Sequence, residues 1–310
     1  MKLVECKAEL IQQGEGLDGL YRHIETCGRV PYKSEAKSDG TVEGAKAFVD
    51  RIIASKHGAV LEHGTVYLQT SVGINDSNFY EVELSPYSRN NLIDNKVFVT
   101  TNLRVIVGLL PNTYQEFLNK YMCNPTENHA KRYTFKVLTS IGVTREVNRS
   151  RSLSMLEMST RYCNFSKDKF DNQVSFCKPS WLDLNLGIYE VITNDDGTRD
   201  IVGDGYIKDV RNYDPDNLFL GNCFHCEDTY MNLLESGWKP QQAREILPLC
   251  TATEAVYTGF AEDWKHFFNL RFFETTGKVH PNMMELSTKM REECEKAGIW
   301  NNIIKDNNEN

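Results

Sequence analysis

Residues 149–162 read RSRSLSMLEMSTRY and bring Arg149, Arg151 and Arg161 together with Ser154, Glu157 and Ser159. The whole chain has a formal net charge of −8, so solubility gives no reason to gather guanidinium groups there. Arg presents a planar fork of donors suited to bidentate binding of phosphate and carboxylate. The same pattern also fits a solvated helix face whose charges pair at i,i+4. Charge order alone leaves both readings open. Just upstream, residues 132–139 alternate as a strand, Gly142 turns the chain, and Thr144 is placed to cap a helix entering the arginine segment.

Working outward, residues 17–27 read as a helix, and Thr41 as the N-cap of a second one with apolar positions Val42, Ala45, Val49, Ile52 and Ile53. Residues 64–71, 79–84 and 97–101 are rich in β-branched and aromatic side chains and are expected to be strands. Asn102 opens a short helix that Pro111 stops, and 114–122 forms another. Residues 191–216 are polar, with D-G and D-P turn signals, and read as a hairpin or mobile insertion. Helices are expected over 222–235, ending at Gly237, and from Pro240 to Pro248. Two more cover 263–271 and 282–297, and 301–310 forms a frayed tail. The fold class is therefore α+β, an antiparallel sheet with packed helices, and residues 1–300 are expected to form a single domain.

With 310 residues, 40% hydrophobic and 25% charged, the chain can bury a substantial core. No apolar run approaches the ~20 residues of a membrane span, and MKLVECKAEL has no signal-peptide h-region, so a cytoplasmic location is expected. Nine cysteines, an odd number, fit reduced thiols better than a disulfide framework. The acidic balance argues against a nucleic-acid surface but not against a local anion pocket.

Three motifs compete with the arginine segment. Gly14, Gly16 and Gly19 match G-x-G-x-x-G, yet the strand before them is weak and CGRVPYKSE after the helix is no core strand. Cys223 and Cys226 have C-x-x-C spacing without a second ligand pair, so no metal site is expected and core packing is preferred. His57 and His63 flank a helix-to-strand junction, where a bare pair reads as structural.

The order of residue types in 149–162 resembles the signature of the flavin-dependent thymidylate synthases, the ThyX family: R-H-R, seven residues, then S-x-R-Y. Arg149, Arg151, Ser159, Arg161 and Tyr162 match, while Ser150 stands in place of the central His. RHIETCGRVPYKSE, KHGAVLEHG, ESGWKPQQAREILP and WKHFFNLR resemble further family blocks in the same order. The resemblance implies reductive methylation of dUMP to dTMP, with methylenetetrahydrofolate as one-carbon donor and NADPH-reduced FAD as hydride source. It also implies a homotetramer with active sites between subunits.

By the same resemblance, dUMP contacts fall to Glu146, Arg149, Glu157, Met158, Ser159, Thr160, Arg161, Arg244 and Arg271. Arg271 matches the arginine that stabilises charge in the uracil ring, a catalytic role; on position alone it equally reads as a helix C-terminal cation. FAD contacts fall to His57, Arg149, Ser150, Arg151, Glu157, His266 and His280. On the flavin side Ser150, Ala59, Phe260 and Glu262 replace usual donors, the last two standing where an Asn-x-Arg pair is usual. Such losses leave two alternatives open: a pyrimidine deoxynucleotide hydroxymethylase giving 5-hydroxymethyl-dUMP or a dCMP analogue, and a non-catalytic nucleotide-binding relative.

Overall fold

The nine residues from Ala252 to Phe260 form a strand that is buried along almost its whole length, and the molecule is arranged around it. The computed structural model describes residues 1–305. Strands β1 (Lys2–Val4) and β2 (Lys7–Ile11) precede helices α1 (Gly16–Arg29) and α2 (Val42–Ala54) and the single turn α3 (Gly58–Leu61). Thr41 caps α2 by accepting from the Gly44 N–H, as its position predicts. Gly16 has φ +66°, and a Cβ on Gly19 would lie 2.0 Å from the Gly14 carbonyl oxygen. The three glycines thus serve a tight turn into α1. β2 lies at a sheet edge, pairs antiparallel with β6 and, among the described residues, has no parallel neighbour, which excludes a dinucleotide-binding βαβ unit there.

Next come β3 (Thr65–Ser71), α4 (Ser77–Glu83), β4 (Arg89–Ile93), β5 (Lys96–Asn102), α5 (Leu103–Leu109) and α6 (Tyr114–Tyr121). The expected strand over 79–84 is corrected here to a helix. Asp76 accepts from the Asn78 and Phe79 N–H groups as N-cap, and Phe79 and Val82, three apart, are the buried pair. β4 was not anticipated; it joins β5 through Asp94 and Asn95, both at positive φ, in a two-residue hairpin loop. Asn102 ends β5 and caps α5, its side chain accepting from the Val105 N–H.

The middle of the chain supplies β6 (Arg132–Ser140), α7 (Ile141–Val147) and β7 (Ser154–Glu157). The cap of α7 is Ser140, not Thr144: the Ser140 hydroxyl accepts from the Val143 N–H, while Thr144 and Gly142 lie inside the helix. Strands β8 (Ser175–Cys177) and β9 (Gly187–Ile188) flank β1, the β1–β8 pair being parallel. Strands β10 (Glu190–Thr193), β11 (Arg199–Gly203) and β12 (Tyr206–Asp209) form an antiparallel meander whose Ile201 and Tyr206 pack into the core beneath α8 (Pro215–Glu235). α8 starts seven residues before the expected 222, because Asp214 accepts from the Asn217 N–H and Pro215 occupies the first turn.

The short α9 (Pro240–Ala243) leads to β13 (Ala252–Phe260), then α10 (Ala261–Arg271), α11 (Pro281–Lys296) and α12 (Trp300–Ile304). Trp300 packs edge-on to Phe268 at 4.9 Å and Ile303 is buried, so residues 300–304 are held in place rather than frayed. The rest of the expected tail, 306–310, lies outside the described residues.

The main sheet runs β2-β6-β13-β7, all antiparallel. Phe135, Val137, Ala255 and Tyr257 face a core closed by α10, α11 and α12. On the opposite face Thr134 and Thr258 meet α1 and the residues after α3 through a buried polar chain. His63 Nδ1 is 2.8 Å from Thr258 Oγ1, which is 2.8 Å from Thr134 Oγ1, itself 3.1 Å from His23 Nε2. The architecture is α+β with predominantly antiparallel sheets and helices on both faces of the main one. Among the described residues no helix is long and apolar enough to cross a membrane.

Candidate functional site

The arginine segment is not a helix face. α7 ends at Val147, a turn carries Arg149–Leu153, and β7 then adds the edge strand to β13, pairing Glu157 with Ala255 and Ser154 with Thr258. Helical i,i+4 pairing is therefore unavailable. The Arg149 and Arg151 side chains are exposed and, among the described residues, have no hydrogen bond or ion pair; Arg161 only lies over the Tyr162 ring, 5.3 Å from its centroid.

Hydrogen bonds join the expected nucleotide residues in two groups along β7. At one end, the Glu146 carbonyl accepts from the Arg149 N–H (3.4 Å) and from Arg271 Nη2 (3.1 Å). Arg271 Nη1 lies 3.4 Å from Glu146 Oε2, and its Nε is buried without a partner. The guanidinium therefore reaches across to α7 rather than to the last carbonyls of its own helix. At the other end, Arg244 Nη1 donates to Thr160 Oγ1 (3.1 Å), the Ser159 N–H donates to the Pro31 carbonyl (2.8 Å), and the Met158 N–H to that of Glu254 (2.7 Å). Tyr162 packs against Tyr32 with ring centroids 5.6 Å apart.

Glu157 lies between these groups. Its Oε1 accepts from Thr144 Oγ1 at 2.9 Å, while that hydroxyl is also 3.0 Å from the Ile141 carbonyl. One hydroxyl hydrogen cannot serve both acceptors at once. Burial pushes the Glu157 carboxyl up, against the downward pull of the Thr144 hydrogen bond and of the Arg145 charge. Tyr257, whose hydroxyl is 3.1 Å from Asn148 Oδ1, is raised further by burial and by the Glu157 charge. Glu254 behaves oppositely: burial raises it, but the Lys33 hydrogen bond and the Lys136 charge bring it below the usual carboxylate range.

The expected flavin residues are more dispersed. Ser150 is buried in the arginine turn and Arg151 borders a cavity of about 830 Å³. His57 is exposed at the start of α3, next to Gly58, whose absent Cβ would lie 3.0 Å from Arg104 Nε. His266 is exposed on α10; His280 caps α11 and meets Trp181 edge-on at 5.7 Å. Among the described residues, no hydrogen bond or ring contact joins either to the arginine turn. His63 is buried in the polar chain described above, and Cys223 is buried with its Sγ 3.9 Å from Cys250 Sγ.

Beside Arg151 and Phe260 the cavity is lined by Arg89, Arg104 and Arg132, which the sequence did not single out. Arg132 donates to Thr65 Oγ1 and the Glu62 carbonyl, and its Nε is buried without a partner. Burial lowers it to about 10, which leaves it charged at neutral pH. For Arg89 the available signal was Asp94-Asn95, a hairpin turn that implies a strand on each side.

The arginine-rich turn thus lies on a sheet edge, with Arg271 fixed to Glu146 and a cavity alongside. The chain belongs to the thymidylate synthase complementing protein family, whose model matches residues 112–297. Among solved structures, it is similar to a UMP/dUMP methylase PolB from Streptomyces cacaoi bound with 5-Br UMP (TM-score 0.41, 16% identity, 96% of this chain and 92% of that one). The same methylase bound with 5-Br dUMP gives TM-score 0.40, 16% identity and coverage of 96% and 93%. No curated protein sequence matches the chain.

Proposed function

We propose that the protein methylates dUMP to dTMP, using methylenetetrahydrofolate as one-carbon donor, FAD and NADPH. The observation that carries this reading is the pair of unpartnered guanidinium groups, Arg149 and Arg151, beside an Arg271 locked to Glu146. All four residues lie in the part of the chain that matches the family. Unpaired arginines on an acidic protein are suited to a ligand's phosphate, through charge-assisted bonds of about 1.5–3 kcal/mol each.

In this reading Arg149, Arg161 and Arg244 hold the nucleotide phosphate, with Glu157, Met158, Ser159 and Thr160 completing the cradle and Glu146 orienting Arg271. Arg271 acts on the uracil ring. Attack through carbon-5 requires negative charge to build up on the ring, and a guanidinium already fixed in place stabilises that charge without reorganising. The division of these residues into two groups along β7 suits a homotetramer in which each site draws on more than one subunit.

Bound FAD would supply the hydride that turns the transferred one-carbon group into a methyl. Arg149, Arg151 and His57 are its expected holders, with Glu157, His266 and His280. The unpartnered Arg151 and the orphaned Arg132 Nε beside an open cavity fit a group carrying phosphates. Ser150 is too short and too enclosed to act as the signature histidine would. The absorbance spectrum of the purified protein tests the reading: flavin bands, or their appearance on adding FAD, together with dUMP binding, are expected. A colourless protein that FAD does not reconstitute would contradict it, and dUMP binding in that case would mark a nucleotide-binding relative.

A further inference from the structure

The cavity is built from two parts of the chain. Arg132, Arg151 and Phe260 belong to the family-matched segment, whereas Arg89 and Arg104 come from β4 and α5, before residue 112. Arg89 is placed by the Asp94-Asn95 hairpin, which sets Arg89 opposite Thr100 of β5. Its guanidinium lies 4.8 Å from the Phe260 ring centroid, that of Arg132 lies 5.3 Å from it, and Arg89 Nε also pairs with Glu262. Phe260 and Glu262 are the two positions where the resemblance leads one to expect donors, and this chain brings a cation to both from elsewhere.

We propose that Arg89 and Arg104 are ligand-binding residues, holding in this cavity a phosphoanhydride that carries an aromatic ring, the chemical class of a flavin dinucleotide. The inference rests on the flavin reading above and assigns the donors that replace those missing from it. Arg104 pairs with Glu62 and Arg89 with Glu262, but the partners' side chains are 55% and 25%, and 40% and 48%, exposed. Such pairs are held weakly and yield to a multiply charged anion. Among the described residues Arg151 has no partner, and Arg132 keeps a buried Nε to spare. Of the lining carboxylates, Asp263 is engaged by the Phe260 N–H at 2.9 Å, as the cap of α10. Leu84 and Tyr87, 76% and 67% exposed in the same lining, offer apolar surface to a ring.

FAD affinity, read by quenching of flavin fluorescence, tests this on the full-length chain, with dUMP affinity and the melting temperature measured beside it. Arg104→Ala and Arg89→Ala should each weaken FAD about tenfold or more and leave dUMP affinity unchanged. Glu262→Gln removes the carboxylate that neutralises Arg89 and should tighten FAD several-fold. Because Arg89 also packs on Phe260, a misfolded Arg89→Ala protein leaves the decision to Arg104→Ala and Glu262→Gln. Wild-type FAD affinity in those two variants would overturn the assignment while leaving the flavin reading intact. A wild-type protein that binds no FAD would overturn the flavin reading, and this assignment with it.

Discussion

Arg271 meets both the carboxylate and the carbonyl of Glu146, so a single side chain ties the end of α10 to the end of α7. Replacing it by Ala should lower kcat on dUMP by about 10²–10³, the range seen when one fixed donor to a developing charge is removed. The circular dichroism spectrum should be unchanged; near-normal turnover would remove Arg271 from the chemistry. His23 makes a different prediction. It is buried on the polar chain, and burial followed by the Arg132 charge lowers its pKa to about 4. Between pH 6.5 and 4 the unfolded chain takes up this proton and the folded one does not, so stability is full above 6.5 and falls with pH. At about 1.4 kcal/mol per pH unit the loss approaches 3 kcal/mol near pH 4, and the deeply buried His63 adds in the same direction. Urea midpoints should drop between pH 7 and 5, and less steeply in His23→Asn; a flat profile would contradict the burial of an uncharged ring.

The arginine turn is positioned by the two ends of α7 and by the β7–β13 pairing. Ser140 closes β6 and opens α7 in one residue, so Ser140→Ala should cost about 1 kcal/mol of stability. It should also weaken dUMP binding, because Glu146 and Arg149 ride on that helix; a shift in urea midpoint with unaltered dUMP affinity would detach the helix from the site. The elements that were legible in the sequence are those with a one-sided pattern or a cap: α2 from Thr41, α5 from Asn102, and the amphipathic α10 and α11. β13 was not legible, since a central strand covered on both faces shows no alternation. α4 was misread because Tyr80, Val82 and Leu84 alternate with Glu81 and Glu83 as a strand would over so short a run, and the Asp76 cap that decides it was not weighed. β4, polar and exposed at an edge, carries almost no strand signal of its own; its evidence was the turn after it.

Across the whole molecule, the family of the chain was readable from residue order in 149–162 and the blocks around it, whereas the second set of arginines was not. Arg89 and Arg104 come near Arg151 because Arg132 at the start of β6 bonds Thr65 and Glu62 and Arg89 lies over Phe260 at the end of β13, contacts between segments far apart in sequence. The proposed nucleotide cradle lies within the family-matched residues 112–297, while the neighbouring cavity also draws on Arg89 and Arg104 from outside them. The products formed from dUMP, methylenetetrahydrofolate, NADPH and FAD by the purified protein, identified by mass, test the central claim most directly. The account predicts dTMP, formed only when all four are present. A 5-hydroxymethyl nucleotide, or unchanged dUMP despite bound dUMP and flavin, would contradict it.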